Sequence, residues 1–141
     1  MEIQELHTLT SSQVEDVLLL MKELNADIPV DGPMLCAAVE SPSTHFFALV
    51  DGARIVGCAS LCVCVSPTGR KAHVEDVVVL QTYRGRHLGR QLVSHVLDFA
   101  RRTLPGTDIY LTSRPERVAA NALYRLLGFQ QKFTNLYKLT V

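Results

Sequence analysis

The stretch from residue 77 to residue 106 constrains the fold most, because its periodicity changes from strand-like to helical across one short turn. The run Val77-Val78-Val79-Leu80 is apolar at every position, which is typical of a strand buried on both faces. After a glycine-containing turn, apolar residues recur at helical spacing, at Leu88, Leu92, Val96 and Phe99. The pattern predicts a buried strand that leads into an amphipathic helix over 88–104, ended by Pro105-Gly106.

Further elements are predicted on both sides of this unit. A capping box of Ser12 and Glu15 opens one helix, and Asp31 caps a shorter helix that ends near Glu40. Asp51-Gly52 is a favourable hairpin turn. The predicted strands are Ile3 to His7, Phe46 to Val50, Ile55 to Val65, His73 to Leu80, Asp108 to Thr112 and Phe133 to Val141.

A last helix is predicted before the final strand, with a second capping box of Ser113 and Glu116 and an end at Gly128. The element order is then β-α-α-β-β-β-α-β-α-β. The fold class is α/β with a mixed sheet, and 141 residues suit one domain over residues 1–141.

Composition excludes several protein classes. With 48% hydrophobic and 20% charged residues, the chain resembles packed globular proteins rather than disordered ones. No apolar run is long enough to cross a bilayer, and Met1 to Glu5 lacks the basic start of a secretory signal. We therefore expect a cytoplasmic protein with no membrane partner.

The cysteines indicate reduced thiols. Cys58, Cys62 and Cys64 stand at even spacing on one predicted strand, so they share a face and are poorly placed to bond to one another. No second Cys/His pair stands at a zinc-like spacing, and we predict no metal site.

Charge is balanced overall and divided along the chain. The net charge of zero argues against a general nucleic-acid binder. Residues 1–64 carry nine acids and two bases, whereas residues 65–141 carry twelve bases and five acids. Either the two halves interleave and the charges cancel, or a cleft takes an anionic ligand on the C-terminal half and a cationic one towards the N-terminal half.

The turn between the buried strand and the amphipathic helix could bind phosphate. Small residues let backbone N–H groups approach a ligand, and the positive end of the helix dipole adds to their attraction. Charge is supplied by Arg84, Arg86 and Arg90. A solvated helix start is the competing interpretation, and the turn is neither a P-loop nor a dinucleotide fingerprint.

At this point the sequence resembles the GNAT superfamily of acetyl-CoA-dependent N-acetyltransferases, whose phosphate signature is Arg/Gln-x-x-Gly-x-Gly/Ala. Arg84-Gly85-Arg86-His87-Leu88-Gly89 matches its first and last positions, and His87 stands where the family usually has its first glycine. The resemblance implies that acetyl-CoA binds between two splayed central parallel strands. It implies the following cofactor-binding residues: Val77, Val78, Val79, Arg84, Gly85, Arg86, His87, Leu88, Gly89, Arg90 and Asn121.

A second match lies in the segment from Asn121 to Phe129, which is similar to the family's later motif of an Asn, a Tyr and a terminal Gly-Phe. Asn121 and Tyr124 are three apart and share one helix face. The resemblance places Asn121 on the cofactor arm and Tyr124 as general acid. A core Tyr beside a surface Asn is the structural alternative.

Two adjacent carboxylates, Glu75 and Asp76, enter a strand that is otherwise apolar. Burying an unpaired charge is costly, so at least one should reach a cleft or a basic partner. The resemblance assigns Glu75 as general base, and we assign Asp76 a substrate-orienting or structural role. A salt bridge to an arginine is the alternative.

Together these features predict direct acetyl transfer from acetyl-CoA to a primary amine. The acids of the leading helices and their loop, Asp27 among them, suggest a small cationic acceptor such as a polyamine or amino sugar. A protein amino group and a non-catalytic acyl-CoA sensor are the alternatives. The terminal strand from Phe133 to Val141 could also pair across a homodimer.

Overall fold

The computed structural model describes residues 1–141, which form two compact units, Met1–Leu111 and Thr112–Val141. A single domain over the whole chain stays a prediction. The first unit contains nearly all of the regular structure. Its elements are β1 (Glu2–Leu6), α1 (Ser11–Leu24), α2 (Gly32–Glu40), β2 (Thr44–Asp51), β3 (Arg54–Ser66), β4 (Gly69–Val79), a 3-10 turn (Gln81–Tyr83), α3 (Leu88–Thr103) and β5 (Asp108–Tyr110).

The sheet is mixed and has the strand order β1-β2-β3-β4-β5. The first four strands pair antiparallel in sequence, and β5 pairs parallel to β4. That parallel pairing covers only Lys71 to His73 of β4, so the rest of β4 has no partner on the β5 side. The expected mixed α/β fold with splayed parallel strands is confirmed.

The core lies between the sheet and the helices α1 and α3, which both contact β3 and β4. Leu88, Leu92 and Val96 of α3 are buried, as their spacing predicts. Removing such apolar surface from water is the main favourable contribution to folding. Because only residues 80–87 join β4 to α3, this packing holds both ends of the turn between them.

The predicted cap of α1 differs from the structure. Thr10, not Ser12, caps α1: its hydroxyl accepts the Gln13 N–H at 3.3 Å, and the Gln13 side chain accepts the Thr10 N–H at 2.9 Å. The helix therefore begins at Ser11, two residues earlier than predicted. The cap of α2 is as predicted, since Asp31 accepts the Met34 N–H at 2.9 Å.

The capping box predicted for the last helix is wrong. That helix, α4 (Val118–Leu126), follows Arg117 and has no side-chain cap, and the Ser113 hydroxyl is buried without a partner. The reason is local, because Pro115 disfavours a helical conformation at Arg114, and a helix capped by Ser113 would require one there.

The strand predicted from Phe133 to Val141 is also wrong, and the element order ends at α4. Residues 129–141 have no regular structure, and Phe133, Tyr137 and Leu139 are exposed. Alternating apolar residues make a strand only where a neighbouring edge pairs its backbone groups. No helix of the chain has the length and apolar character that crossing a bilayer requires.

Candidate active site

The turn before α3 presents backbone donors that the protein leaves unused. The first helical hydrogen bond runs from the Gln91 N–H to the His87 carbonyl at 3.1 Å, and α3 has no side-chain cap. The N–H groups of residues 87–90 therefore donate to no group of the protein. Four successive unpaired donors at the positive end of a 16-residue helix suit a diphosphate.

The turn also leaves space for a ligand. A Cβ added at Gly85 or Gly89 would meet no atom within 4 Å. Gly85 has φ +82°, and His87 adopts the left-handed conformation with φ 57° and ψ 23°. His87 thus takes a glycine-like backbone conformation at the position where the family signature has glycine. The backbone at His87 therefore has the left-handed conformation that glycine readily adopts, even though the residue carries a side chain.

The three arginines of the turn have different surroundings. The Arg84 Nε donates to the Val79 carbonyl at 3.1 Å, and its Nη2 lies 3.8 Å from the Glu23 carboxylate. Arg86 lies over the Tyr83 ring, 5.5 Å from its centroid, and Arg90 forms no ion pair. Both Arg86 and Arg90 are exposed. They are the two cations of the turn that are free to attract phosphate.

The unpaired part of β4 offers an open backbone edge. The Leu80 N–H donates to the Val56 carbonyl at 2.9 Å, on the β3 side. Because main-chain groups alternate along an antiparallel strand, Val78 also faces β3, and Val77 and Val79 face the open side. The edge groups open to a ligand are therefore those of Val77 together with the Val79 N–H, because the Val79 carbonyl accepts a hydrogen bond from the Arg84 Nε. Val78 and the buried Leu88 shape the site through packing and backbone direction.

Glu75 and Asp76 stand at an irregularity of β4. Asp76 has φ 53°, and the pairing with β3 shifts register between Cys58 and Ser60, which together mark a bulge. The two carboxylates are therefore released from strict alternation. Although both residues reach solvent, partial desolvation raises the pKa of each carboxyl. The Asp76 charge raises the pKa of Glu75 further, whereas His73 acts in the opposite direction.

No cysteine beside this bulge is an activated nucleophile. Cys58 is buried, its thiol points at the Asp76 carbonyl at 3.8 Å, and burial raises its pKa far above the usual range. Partial burial also raises the pKa of Cys62. Because the thiolate is the reactive form, both sulfurs are poor candidates for a covalent intermediate.

The second unit carries Asn121 and Tyr124 on α4. The Asn121 Nδ2 donates to the Arg114 carbonyl at 2.9 Å, which leaves its Oδ1 as the free acceptor. The Tyr124 ring lies edge-on to Phe129, with centroids 6.0 Å apart, and its hydroxyl has no partner within the protein. Gly128, with φ 101°, ends this helix as predicted.

Asp27, a predicted substrate residue, lies exposed in the loop between α1 and α2, and its backbone N–H donates to the Asn25 side chain at 3.0 Å.

Sequence reasoning missed three residues of the segment that leads into the turn or in contact with it: Glu23, Asp51 and Tyr83. The Gln81 N–H donates to Glu23 at 2.9 Å, and the Tyr83 hydroxyl donates to Asp51 at 2.7 Å. These pairs are 58 and 32 residues apart in sequence, so no local pattern indicates them.

Comparison with known proteins agrees with this geometry. The model of the acetyltransferase (GNAT) family matches residues 11–129. The chain belongs to the GNAT family. N-alpha-acetyltransferase RimI of Mycobacterium tuberculosis is 37% identical over 118 residues, which cover 77% of this chain and 70% of that protein.

Solved structures of acetyltransferases share the fold. An acetyltransferase from Trypanosoma brucei superposes with a TM-score of 0.77 at 25% identity and covers 99% of both chains. An aminoglycoside N-acetyltransferase, AAC(6')-Iy, solved in complex with CoA, has a TM-score of 0.75 at 17% identity. It covers 99% of this chain and 93% of its own. The protein is an acetyl-CoA-dependent N-acetyltransferase, and the free donors at residues 87–90 fit the diphosphate of that cofactor.

Proposed function

We propose that the protein acetylates the α-amino group of a peptide or protein, and that the chemistry takes place along β4 and the start of α3. One observation carries the proposal. Glu75 and Asp76 immediately precede the open edge of Val77 and Val79, and that edge leads into the free N–H groups of residues 87–90. A proton acceptor, an edge for an amide-bearing arm and a diphosphate site thus follow one another on a continuous stretch.

The diphosphate would be held by the N–H groups of residues 87–90, with Arg86 and Arg90 supplying positive charge and Gly85 and Gly89 leaving room. The open-edge groups of Val77 and Val79 would hold the pantetheine amides, and the matching family motif suggests the Asn121 Oδ1, which is free of hydrogen bonds within the protein, as a further acceptor. When bound, acetyl-CoA supplies an activated acetyl group as a thioester.

Glu75 is the candidate general base. An amine attacks only in its neutral form, so a proton must leave the ammonium, and a base is more effective as its pKa approaches the working pH. Desolvation and the Asp76 charge both move the pKa of Glu75 in that direction. Asp76 is the candidate that would orient the ammonium, and an N–H of the open edge would polarise a carbonyl.

Tyr124 is the candidate general acid, an assignment that rests on the matching family motif. Its hydroxyl has no partner within the protein and can give a proton to a leaving sulfur. The raised thiol pKa values of Cys58 and Cys62 favour direct transfer without a covalent enzyme intermediate.

Two observations support this acceptor, namely the raised pKa of Glu75 and the name of a relative. An α-amino group has a pKa of about 7.7–8.0, whereas a lysine-type amine has a pKa of about 10.4. The pKa of Glu75 is raised, and such a carboxylate removes a proton more readily from the amine with the lower pKa. The relative that is 37% identical is named an N-alpha-acetyltransferase, which supports the same acceptor.

A small cationic amine of the polyamine or amino-sugar type is the second candidate. The excess of acids in residues 1–64 favours it, as does the exposed carboxylate of Asp27 in the loop between α1 and α2. A homodimer that pairs the chain end, and a location in the cytoplasm, also stay predictions.

The test is release of free CoA thiol from acetyl-CoA with matched acceptors. The first is a peptide with a free α-amino group, and the second is the same peptide blocked at its N-terminus but containing lysine. A polyamine and an amino sugar complete the set. We expect turnover with the free α-amino peptide and at least tenfold less with the blocked peptide, on the order expected from the difference in amine pKa. Turnover confined to the small amines would support the second candidate, and CoA binding without turnover on any amine would identify a sensor.

A further inference from the structure

We infer that Glu23 of α1 is a positioning residue for cofactor binding, and that Arg84 acts through it rather than as a phosphate ligand. The inference rests on the diphosphate site proposed above. It concerns the segment from Gln81 to Arg84, which joins the end of β4 to the free donors of α3.

The first contact is a hydrogen bond from the backbone of this segment. The Gln81 N–H donates to the Glu23 Oε2 at 2.9 Å. Glu23 belongs to the last turn of α1, a helix that packs against β3 and β4 through Val17 and Leu20. A carboxylate on a packed helix thus fixes the first residue of the segment.

The second contact involves the same carboxylate oxygen. The Arg84 Nη2 lies 3.8 Å from Glu23 Oε2, and the Arg84 Nε donates to the Val79 carbonyl at 3.1 Å. The guanidinium therefore joins the end of β4, at the Val79 carbonyl, to α1, at the Glu23 carboxylate. Because the Arg84 guanidinium is engaged in these two contacts, we assign it to stabilising the loop. Arg86 and Arg90 are then the arginines that would bind phosphate.

A third contact holds the same segment from the hairpin between β2 and β3. The Tyr83 hydroxyl donates to the Asp51 carboxylate at 2.7 Å, where β2 turns into β3, and that hydrogen bond raises the pKa of Tyr83. Two carboxylates from distant elements therefore fix one short loop. A binding loop held in its bound form loses less entropy on binding, which strengthens affinity without a new ligand contact.

The relative strength of the contacts predicts how variants rank. The ion pair is long, and its two side chains are 55% and 34% exposed, so its contribution is small. The charge-assisted hydrogen bond to the Gln81 N–H is the stronger contact. Glu23→Ala removes both contacts, whereas Glu23→Gln keeps an acceptor for the Gln81 N–H and loses only the ion pair.

The experiment is calorimetric titration of the full chain with CoA, together with steady-state kinetics in acetyl-CoA. We expect Glu23→Ala to raise the Kd for CoA and the KM for acetyl-CoA about tenfold with little change in kcat, because the loop must then be ordered on binding. Glu23→Gln should stay within about threefold of the parent. Glu15→Ala is the matched control, since Glu15 is an exposed acid of the same helix without a partner.

A double-variant cycle tests the role of Arg84. If Arg84 acts through Glu23, the double variant Glu23→Ala/Arg84→Ala should raise the Kd by less than the two single-variant effects combined. Full additivity would show that Arg84 acts independently of Glu23 and would overturn that part of the inference. A fall in kcat or in the fraction of binding-competent protein, with unchanged Kd, would indicate a purely structural Glu23 and would overturn the rest.

Gly89→Glu separates this inference from the proposed site. A Cβ at Gly89 meets no atom within 4 Å, so the fold accommodates the side chain while its charge repels a diphosphate. Parent-like CoA binding in Gly89→Glu would refute the proposed site. Loss of binding in Gly89→Glu together with parent-like binding in Glu23→Ala would keep the site and refute only the positioning role.

Discussion

Residues 1–111 and residues 112–141 are stabilised in different ways. Every side chain that is nearly fully buried belongs to the first unit, which contains the sheet and helices α1, α2 and α3. The second unit has one helix and no fully buried apolar side chain. The free N–H groups and Glu75 thus stand on a packed core, whereas Asn121 and Tyr124 stand on a helix whose own unit has none. We therefore expect affinity for the diphosphate to depend on the first unit, and the proton transfer proposed for Tyr124 to depend on a unit without a packed core.

The largest expected difference is in stability. Leu92 is fully buried against the sheet, whereas Leu126 of α4 is 65% exposed. Leu92→Ala should lower the free energy of unfolding by about 3 kcal/mol, through lost burial and a cavity. Leu126→Ala should change it by less than about 0.5 kcal/mol. Chemical denaturation of both variants measures this, and equal losses would show that the second unit contains a core of its own.

The next difference is in catalysis. Glu75→Gln keeps the size of the side chain and removes the base, so kcat/KM should fall about 100-fold with an unchanged Kd for CoA. Tyr124→Phe should lower kcat by a smaller factor, of about 10, because water can protonate a thiolate leaving group. A rate of Glu75→Gln equal to that of the parent, with the same pH dependence, would remove the base assignment.

A smaller effect links the same carboxylate to stability. The pKa of Glu75 is raised in the folded protein, so the folded state binds the proton more tightly than the unfolded chain does. Ionised Glu75 therefore costs stability above its raised pKa, and the cost vanishes below the ordinary carboxyl pKa. Glu75→Gln should melt at a higher temperature than the parent at pH 7, and the gain should disappear near pH 4, about the ordinary pKa of a glutamate. A gain that persisted unchanged at low pH would show that desolvation of the charge is not its source.

The smallest effect concerns the left-handed residue before α3. His87 has φ 57°, which costs a residue with a Cβ about 1 kcal/mol. His87→Gly should relieve this strain, partly offset by the greater chain entropy of glycine, and leave a gain below about 1 kcal/mol. His87→Ala keeps the Cβ and is the control. Equal thermal stability of the two variants would contradict a backbone origin.

The sequence anticipated what local patterns determine. The buried strand, α3, the Asp31 cap and the turn at Asp51-Gly52 follow from spacing and turn chemistry within a few residues. The bulge at Asp76 and the Glu23 contact with Gln81 depend on elements that meet only in the folded sheet, so no local signal precedes them. The prediction of a terminal strand was wrong for the same reason, because alternating apolar residues from Phe133 to Val141 do not by themselves provide a neighbouring strand to pair with.

Backbone hydrogen exchange with and without CoA tests the central claim most directly. The N–H groups of residues 87–90 have no acceptor in the protein, so they should exchange quickly in the absence of CoA. We expect CoA to slow their exchange more than that of any other free N–H groups, because they then donate to the diphosphate. Unchanged exchange at residues 87–90, with protection gained at another part of the chain, would contradict the account.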